Sequence, residues 1–307
     1  MRRVRYEHSG GPEVLFLEDT PVPEPGPGEL LVRAEAIGVT LPVVRKVREA
    51  REPIPLGGEV AGEVVAVGAG VTRFGIGDRV TGLVFGHGYA EFAVLRDAMA
   101  SPVPEGAGAV AAVALVRSGL VAYGALRAAR PEPGERALVT AAASGVGHLA
   151  LQLARIQGAS WITAAVSDAG KADFLRGLGA DAVVTYDAES WGDPVDYALD
   201  AVGGALLKPA VGALGAYGRL VAYSSGGGTV EAYDLLVGAK SVIGFQMALI
   251  ARERPDLYEA WRKELWDLHL TGRLTPVVHG QFALEEAAAA HALIESRGNL
   301  GKVVLVP

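Results

Sequence analysis

The chain has 307 residues, half of them hydrophobic, and a formal net charge of −7. An acidic chain without a run of Lys and Arg is a poor match for nucleic acid or an anionic membrane, so neither partner is predicted. The chain contains no cysteine, which excludes disulfides, thiolate metal sites and a cysteine nucleophile. The N-terminus lacks the apolar run of a signal peptide, and the longest clean apolar run, 109–116, is too short to cross a bilayer. We therefore expect a cytoplasmic protein.

The first third of the sequence predicts short strands joined by tight turns. Residues 30–36, 59–67 and 88–95 are rich in strand-forming side chains and are bounded by glycine or proline. Several short strands with turns between them are typical of a small, closed or nearly closed β unit.

The pattern changes near residue 107, beyond which strands alternate with helices. Residues 109–129 are rich in Ala and Leu and lack proline, which predicts a helix. We then predict strands at 136–141, 161–166, 182–185, 197–201 and 220–224, and helices at 146–157, 171–178 and 206–214. Strands that alternate with helices of about 10 residues predict βαβ units and a parallel sheet.

The C-terminal part predicts two more helices and a final strand. Residues 252–270 place Leu257, Trp261, Leu265 and Leu268 on one stripe, which predicts one long amphipathic helix. A second helix is predicted at 283–296 and a strand at 302–306.

The strongest local signal is the turn between the strand at 136–141 and the following helix. It contains Ala142-Ala143-Ser144-Gly145-Val146-Gly147, so an alanine stands where a dinucleotide-binding GxGxxG motif has its first glycine. Helix N-terminal N–H groups and the helix dipole favour a phosphate at such a turn. On the motif alone, a tight turn of small residues without a ligand remains the alternative.

The tip of the second strand, about 20 residues further on, is where such a motif contacts the adenosine ribose. This tip carries Ser167, Asp168 and Lys171. An acidic residue there favours NAD, whereas a hydroxyl and a cation suit the 2′-phosphate of NADP, and the motif leaves both open. We expect Asp168 to cap the next helix and face solvent.

Blocks along the full length, in one order, resemble the zinc-independent quinone oxidoreductase branch of the medium-chain dehydrogenases/reductases. They include Gly11-Pro12-Glu13-Val14-Leu15, Pro25-Gly26-Pro27-Gly28-Glu29-Leu30-Leu31-Val32, Gly58-Glu59-Val60-Ala61-Gly62, Gly75-Ile76-Gly77-Asp78-Arg79-Val80, Gly88-Tyr89-Ala90-Glu91-Phe92, Leu178-Gly179-Ala180-Asp181, Asp200-Ala201-Val202-Gly203-Gly204 and Gly301-Lys302-Val303-Val304-Leu305.

The resemblance implies an α/β protein with two domains. A GroES-like β-barrel catalytic domain would comprise 1–115 and 271–307, and a Rossmann domain with a doubly wound parallel sheet would comprise 116–270. It implies NADPH as cofactor and a quinone or α,β-unsaturated carbonyl (enone) as the small-molecule substrate, with the nicotinamide between the domains. It also implies a homodimer formed through the edge of the Rossmann sheet, with strands near 220–224 and 241–245 as candidates.

The resemblance also assigns residues to the cofactor site. The matching positions are Thr40, Ser144, Gly145, Val146, Gly147, Ser167, Lys171, Tyr186, Val202, Gly203, Tyr223, Ser224, Phe245, Gln246, Met247 and Asn299. Ser167, Lys171 and Tyr186 would lie at the 2′-phosphate end.

The sequence departs from the family at the nicotinamide end. Gly58 stands where zinc-binding members carry a histidine ligand, so no metal is predicted, and Thr40 and Val121 replace the usual asparagine and threonine. No general acid can be named from the sequence. Thr40 is a candidate donor to developing enolate charge, and His87, between two glycines, is a candidate substrate contact or proton donor. An NADPH-binding protein with little catalysis is therefore the alternative function.

Overall fold

The computed structural model describes residues 1–224 and 226–307. Ser225, which belongs to a stretch expected to line the cofactor, lies outside the described residues. The chain divides into two compact units. Unit 1 consists of Met1–Arg117 and Val277–Pro307, and unit 2 consists of Ser118–Pro276.

Within the described residues, strands and α-helices occur along the whole chain. The strands are β1 (Arg2–Arg5), β2 (Phe16–Asp19), β3 (Glu29–Val39), β4 (Gly58–Val67), β5 (Arg79–Val84), β6 (Phe92–Arg96), β7 (Ala100–Pro102), β8 (Arg136–Thr140), β9 (Trp161–Val166), β10 (Ala182–Thr185), β11 (Val195–Asp200), β12 (Leu214–Ala222), β13 (Ser241–Gly244), β14 (Val278–Ala283) and β15 (Lys302–Val306). The α-helices are α1 (Leu41–Glu49), α2 (Ala109–Ala129), α3 (Gly147–Ile156), α4 (Ala172–Gly177), α5 (Leu207–Gly212), α6 (Ala232–Gly238), α7 (Met247–Glu253), α8 (Pro255–Leu270) and α9 (Ala287–Glu295).

Unit 1 is built around the long strand β3. The sheet has the order β14-β15-β3-β4-β5-β7, and β6 also pairs with β3. All of these pairs are antiparallel except β14 with β15. β3 pairs with β6 near its start, with β15 near its end and with β4 along most of its length, so it connects most of the strands of the unit. Its core includes Leu30, Val32, Ile37 and Val60, which are almost fully buried. This arrangement is the expected GroES-like β unit.

Unit 2 is a doubly wound parallel sheet. Its order is β10-β9-β8-β11-β12-β13, and every pair is parallel. In chain order this is third, second, first, fourth, fifth and sixth strand, the order of the Rossmann fold. Strands β8 and β11 flank the point where the order reverses. Ligands bind in open α/β sheets at the carboxyl ends of the strands beside this point.

Some predicted elements were wrong. The helix predicted at 252–270 starts only at Pro255, which lacks an amide proton and occupies the first turn of α8, and residues 252–253 instead end a separate helix, α7, that was not predicted. The strand at 88–95 begins only at Phe92, since the amide of Gly88 is bonded to Leu56 outside the strand ladder. Residue 283 ends β14, and the helix predicted from there starts at Ala287. Helices α1 and α6 were not predicted.

The sheet of unit 2 also corrects one of the candidate dimer strands. Residues 220–222 belong to β12, which lies between β11 and β13 and pairs with both. Only β13 of the two candidates is an edge strand in the described structure. An interior strand has no unpaired backbone groups to offer a second chain.

Helix α2 is long and apolar enough to cross a membrane. Most of its apolar stretch is buried within the protein, however, as expected for a core helix. Its fully buried residues include Ala112, Leu115 and Ala125.

Candidate active site

The turn that follows β8 is closed by direct contacts between its own residues. A Cβ on Gly147, the first residue of α3, would lie 2.2 Å from the carbonyl oxygen of Ala141. The hydroxyl of Ser144 accepts a hydrogen bond from the Gly147 amide at 3.0 Å. Glycine is therefore required at 147, and Ser144 fixes the start of α3 against the turn.

Tyr186 reaches this turn from two strands away. It follows β10, and its hydroxyl accepts a hydrogen bond from the Ala141 amide at 3.0 Å. The side chain thus crosses the end of β9, which lies between β10 and β8. The structure therefore brings Tyr186 together with Ser144 and Gly147, although some 40 residues separate them in sequence.

The tip of the second strand presents three polar residues with different roles. Asp168 is exposed, and its carboxylate accepts a hydrogen bond from the Gly170 amide at 2.9 Å. The expectation that Asp168 caps the next turn and faces solvent is confirmed. Ser167 is exposed, whereas Lys171, immediately before α4, is only 9% exposed.

A buried carboxylate that sequence reasoning missed joins the ends of β8 and β11. Asp200 is fully buried and accepts hydrogen bonds from Thr140 Oγ1 at 2.7 Å and from the amides of Val202 and Gly203 at 3.2 and 2.9 Å. Thr140 Oγ1 in turn accepts from the Ala201 amide at 2.9 Å. This network fixes the loop at the switch point. The sequence signal that could have revealed this network is a polar residue, Thr140 or Asp200, at the end of each of two apolar strands.

The end of β12 contributes a buried hydroxyl. The hydroxyl of Tyr223 has no hydrogen-bond partner among the described residues. Burial, together with the negative charge of Asp200, raises the pKa of Tyr223. Ser224 lies beside Gly203, where a Cβ would be 3.0 Å from the Ser224 hydroxyl, and Gly203 has a φ of 69°. A buried donor without a partner at a ligand-binding edge fits a ligand that supplies an acceptor.

The segment after β13 divides into packing and exposed positions. The side chains of Phe245 and Met247 occupy the space that a Cβ on Gly124 would need, beside Trp261. Gln246 is exposed and precedes the first residue of α7. Phe245 and Met247 are thus half-buried packing residues of unit 2.

In unit 1, Thr40 and Asn299 lie at one end of the sheet. Thr40 follows β3 and occupies the N-cap of α1 without a side-chain capping bond. Because β15 runs antiparallel to β3, its start lies at the end of β3. Asn299 precedes that start and donates a hydrogen bond from Nδ2 to the Gly301 carbonyl at 2.8 Å.

A buried ion network lies beside the end of β3. Glu59 accepts hydrogen bonds from Lys302 Nζ and from Arg117 Nη1, the latter at 2.9 Å. The side chains of Glu59 and Lys302 are each 3% exposed. Burial opposes ionisation, yet the two cations hold the pKa of Glu59 below its usual value. The carboxylate covers Gly38, where a Cβ would lie 2.5 Å from Glu59 Oε2.

No group of three or more metal-ligating side chains occurs within residues 1–224 and 226–307. At Gly58, where the resemblance predicts no metal ligand, a Cβ would lie 3.2 Å from the Gly38 carbonyl oxygen.

Comparisons with known proteins agree with this architecture. Residues 26–122 match the family model of the alcohol dehydrogenase GroES-like domain, and residues 178–305 match that of a zinc-binding dehydrogenase. The quinone oxidoreductase of Pseudomonas aeruginosa is 32% identical over 100% of this chain and 99% of its own length. A mycobacterial protein solved with NADPH superposes with a TM-score of 0.91 at 32% identity, covering 100% of both chains. The Escherichia coli quinone oxidoreductase complexed with NADPH superposes with a TM-score of 0.88 at 28% identity, also over 100% of both chains.

A GroES-like unit combined with a Rossmann unit defines the medium-chain dehydrogenases/reductases. Within them, this chain belongs to the zinc-independent quinone oxidoreductase family.

Proposed function

We propose that this protein is a cytoplasmic, zinc-independent reductase that transfers a hydride from NADPH to the conjugated carbonyl system of a quinone or enone. The observation that supports this most lies at the carboxyl ends of the strands of unit 2, at the switch point of the Rossmann sheet. There the turn before α3 has no room for a Cβ at Gly147, and the buried hydroxyl of Tyr223 has no hydrogen-bond partner among the described residues. The alternative, an NADPH-binding protein with little catalysis, is not favoured, because the full-length relatives are named as enzymes.

The residues at this edge fit a dinucleotide. The pyrophosphate would be held by the turn at Ser144, Gly145, Val146 and Gly147, where the N-terminus of α3 supplies positive potential. The loops at Val202–Gly203 and Tyr223–Ser224 would border the ribose and nicotinamide, with Phe245, Gln246 and Met247 beside them. Thr40 and Asn299 of unit 1 would contact the nicotinamide end. When bound, the reduced nicotinamide supplies the hydride, and the protein orients the cofactor and the substrate and provides the electrostatic environment.

The experiment that tests the function is quinone-dependent oxidation of NADPH. We expect the purified protein to consume NADPH with 9,10-phenanthrenequinone or a short enone, at a rate that a metal chelator leaves unchanged. Tight NADPH binding without turnover on any quinone or enone would instead support the alternative.

The preference for NADPH over NADH is proposed to come mainly from Lys171, with Ser167 and Tyr186. We expect Lys171→Ala to weaken NADPH binding by about tenfold or more, because a charge-assisted bond to the 2′-phosphate contributes about 1.5–3 kcal/mol. Affinity for NADH should stay nearly unchanged, since NADH lacks that phosphate. Titration of each cofactor by fluorescence measures both values.

The control addresses the burial of Lys171, which is 9% exposed. Lys171→Met keeps the apolar stem and should lose NADPH affinity to the same extent as Lys171→Ala. Lys208→Ala removes an exposed lysine from α5 and should change neither cofactor. Equal loss of NADPH and NADH in the Lys171 variants would show that the lysine acts on the fold and not on the phosphate.

We also propose a homodimer formed through the edge of the unit 2 sheet. β13 pairs with β12 only, so its other edge is unpaired in the described structure. The preceding helix α6 exposes Tyr233, Leu236 and Val237, each more than 70% accessible. An unpaired strand edge and an exposed apolar helix in the same unit suit a second copy of the same chain, related by a two-fold axis.

Substitution of the apolar surface should therefore release the monomer. We expect the double variant Leu236→Glu, Val237→Glu to sediment as a monomer at micromolar concentration, because paired subunits would bury the added charges. Ile76→Glu introduces one such charge at an apolar residue that is 71% exposed on unit 1 and should leave the mass unchanged. A monomeric mass for the unsubstituted protein in light scattering would contradict the dimer.

A further inference from the structure

The loop at 85–88 lies at the same end of unit 1 as Thr40. β3, β4 and β5 are neighbouring strands, each antiparallel to the next. The C-terminal ends of β3 and β5 therefore lie at the same end of the sheet, on either side of the start of β4. Thr40 is the residue after β3, and Phe85 is the residue after β5. Two strand spacings separate these positions by about 10 Å.

The backbone of this loop holds His87 in a conformation that L-residues rarely adopt. His87 has a φ of 54° and stands between Gly86 and Gly88. The loop is fixed at both sides of it. The Gly88 amide donates to the Leu56 carbonyl at 2.7 Å, and a Cβ on Gly86 would lie 3.1 Å from Pro55. Backbone strain at a non-glycine residue is concentrated at functional sites.

The side chain of His87 is oriented by a charged pair. Arg3 Nη1 lies 3.2 Å from His87 Nδ1. A guanidinium only donates, so Nδ1 is the acceptor and the neutral ring carries its proton on Nε2. Arg3 is itself paired with Glu18, which also binds Arg5 at 3.0 Å. The contacts from Glu18 to Arg3 and from Arg3 to His87 therefore favour one tautomer of the His87 ring, the one protonated on Nε2.

The surroundings of His87 favour its neutral ring. Burial and then the positive charge of Arg3 lower the pKa of His87, against the opposing charge of Glu18. The imidazole consequently presents a neutral Nε2–H donor at physiological pH.

The loop of His87 and the segment beside it also expose apolar side chains. Phe85, two residues before His87, is 69% exposed, and Ile54, which precedes the Pro55 that lies against Gly86, is 38% exposed. An exposed aromatic ring on the same loop as a polar donor matches a planar, apolar ligand with a carbonyl group at its margin.

We propose that His87 Nε2 donates a hydrogen bond to the carbonyl oxygen of the substrate, and that the ring of Phe85 packs on the planar quinone. This rests on the proposed function. The bond stabilises the negative charge that hydride addition to the conjugated system leaves on that oxygen. A neutral imidazole can polarise a carbonyl in this way without releasing its proton. The proton that completes the product hydroxyl or enol comes from water.

The test compares His87 variants in steady-state reduction of a quinone. We expect His87→Gly, which tolerates the positive φ, to lower kcat/KM by roughly 10- to 100-fold, toward the range measured for loss of one oxyanion donor. His87→Gln places an amide donor near the position of Nε2 and should recover part of that loss, whereas His87→Asn should not. NADPH affinity should be the same in all three. Phe85→Ala should raise KM for an aromatic quinone more than for a small enone.

Arg3 is a positioning residue, and its variant has a distinct signature. We expect Arg3→Met to lower kcat/KM for a quinone when His87 is present but to have no further effect in the His87→Gly background, because without the imidazole there is no ring for Arg3 to orient. Arg5→Met, which also breaks a pair with Glu18 but does not contact His87, is the matched control and should leave kcat/KM unchanged. A wild-type enzyme that reduces quinones while His87→Gly matches it in kcat/KM would overturn the inference. A wild-type protein that reduces none would instead overturn the proposed function.

Discussion

Glu59→Gln is expected to lower the free energy of unfolding of unit 1 by about 3–5 kcal/mol, the usual consequence of breaking a buried ion pair. The substitution leaves the ammonium of Lys302, whose side chain is 3% exposed, without its carboxylate. Glutamine also keeps only one acceptor oxygen, so it can accept from Arg117 Nη1 or from Lys302 Nζ but not from both. Urea denaturation followed by circular dichroism measures the change.

The acid dependence of stability provides a second readout. The pKa of Glu59 is lower in the folded protein than its ordinary value of 4.5. The contribution of the ionised Glu59 carboxylate to the free energy of unfolding is therefore present above pH 4.5 and is lost as the pH falls through the folded-state pKa. We expect Glu59→Gln to flatten this acid-side loss.

A matched variant on the same strand separates burial from charge. Glu63 pairs with Arg33 at the surface, where the two side chains are 34% and 53% exposed. Glu63→Gln should therefore cost only about 0–1 kcal/mol. The double variant Glu59→Gln, Lys302→Met should lose less than the sum of its single substitutions, because neither charge is then left alone. Equal stabilities of Glu59→Gln and Glu63→Gln would refute the role of the buried pair.

Gly147→Ala is expected to weaken NADPH binding by about 100-fold or more, equivalent to about 2.8 kcal/mol. The added Cβ would lie 2.2 Å from the Ala141 carbonyl oxygen and 2.8 Å from Ala142 Cα, both of them backbone atoms. Relief of that clash must move the turn or the start of α3, and with it the amides proposed to hold the pyrophosphate. Calorimetric titration with NADPH measures the loss.

The control for this substitution is another helical glycine with free space around it. Gly177 ends α4, and a Cβ there meets nothing within 4 Å. Gly177→Ala should leave NADPH affinity unchanged. An unaltered NADPH affinity in Gly147→Ala would show that the turn does not hold the cofactor, whereas a protein that no longer folds would be recognised by its circular dichroism spectrum.

Much of unit 2 could be predicted because its signals are local. Strands at 161–166 and 182–185 coincide with β9 and β10, since a parallel strand covered on both faces is a continuous apolar run. The turn with Gly147 stands out for the same reason, because strand, small residues and helix follow one another directly. The cap at Asp168 involves a residue only two positions away.

Contacts between distant residues could not be predicted in this way. Lys302 and Glu59 are 243 positions apart, and Arg3 and His87 are 84 apart. In the sequence alone, Lys302, Glu59 and Arg3 would be unremarkable as surface charges. Only the pairing of β15 with β3 and of β3 with β4 brings Lys302 to Glu59 and buries both.

The sequence by itself determined the alternation of strands and helices in unit 2 and the place of the glycine turn, because hydrophobic periodicity and turn residues act over a few positions. Blocks in one order along the whole chain carried the resemblance to the family. The tertiary structure decided which side chains meet at the strand ends: Tyr186 with the turn, Asp200 with Thr140, and Arg3 with His87. It also decided that β13 and not β12 is the edge of the sheet. These outcomes depend on strand order and on burial, and both are set by packing across the whole unit, so no local pattern encodes them.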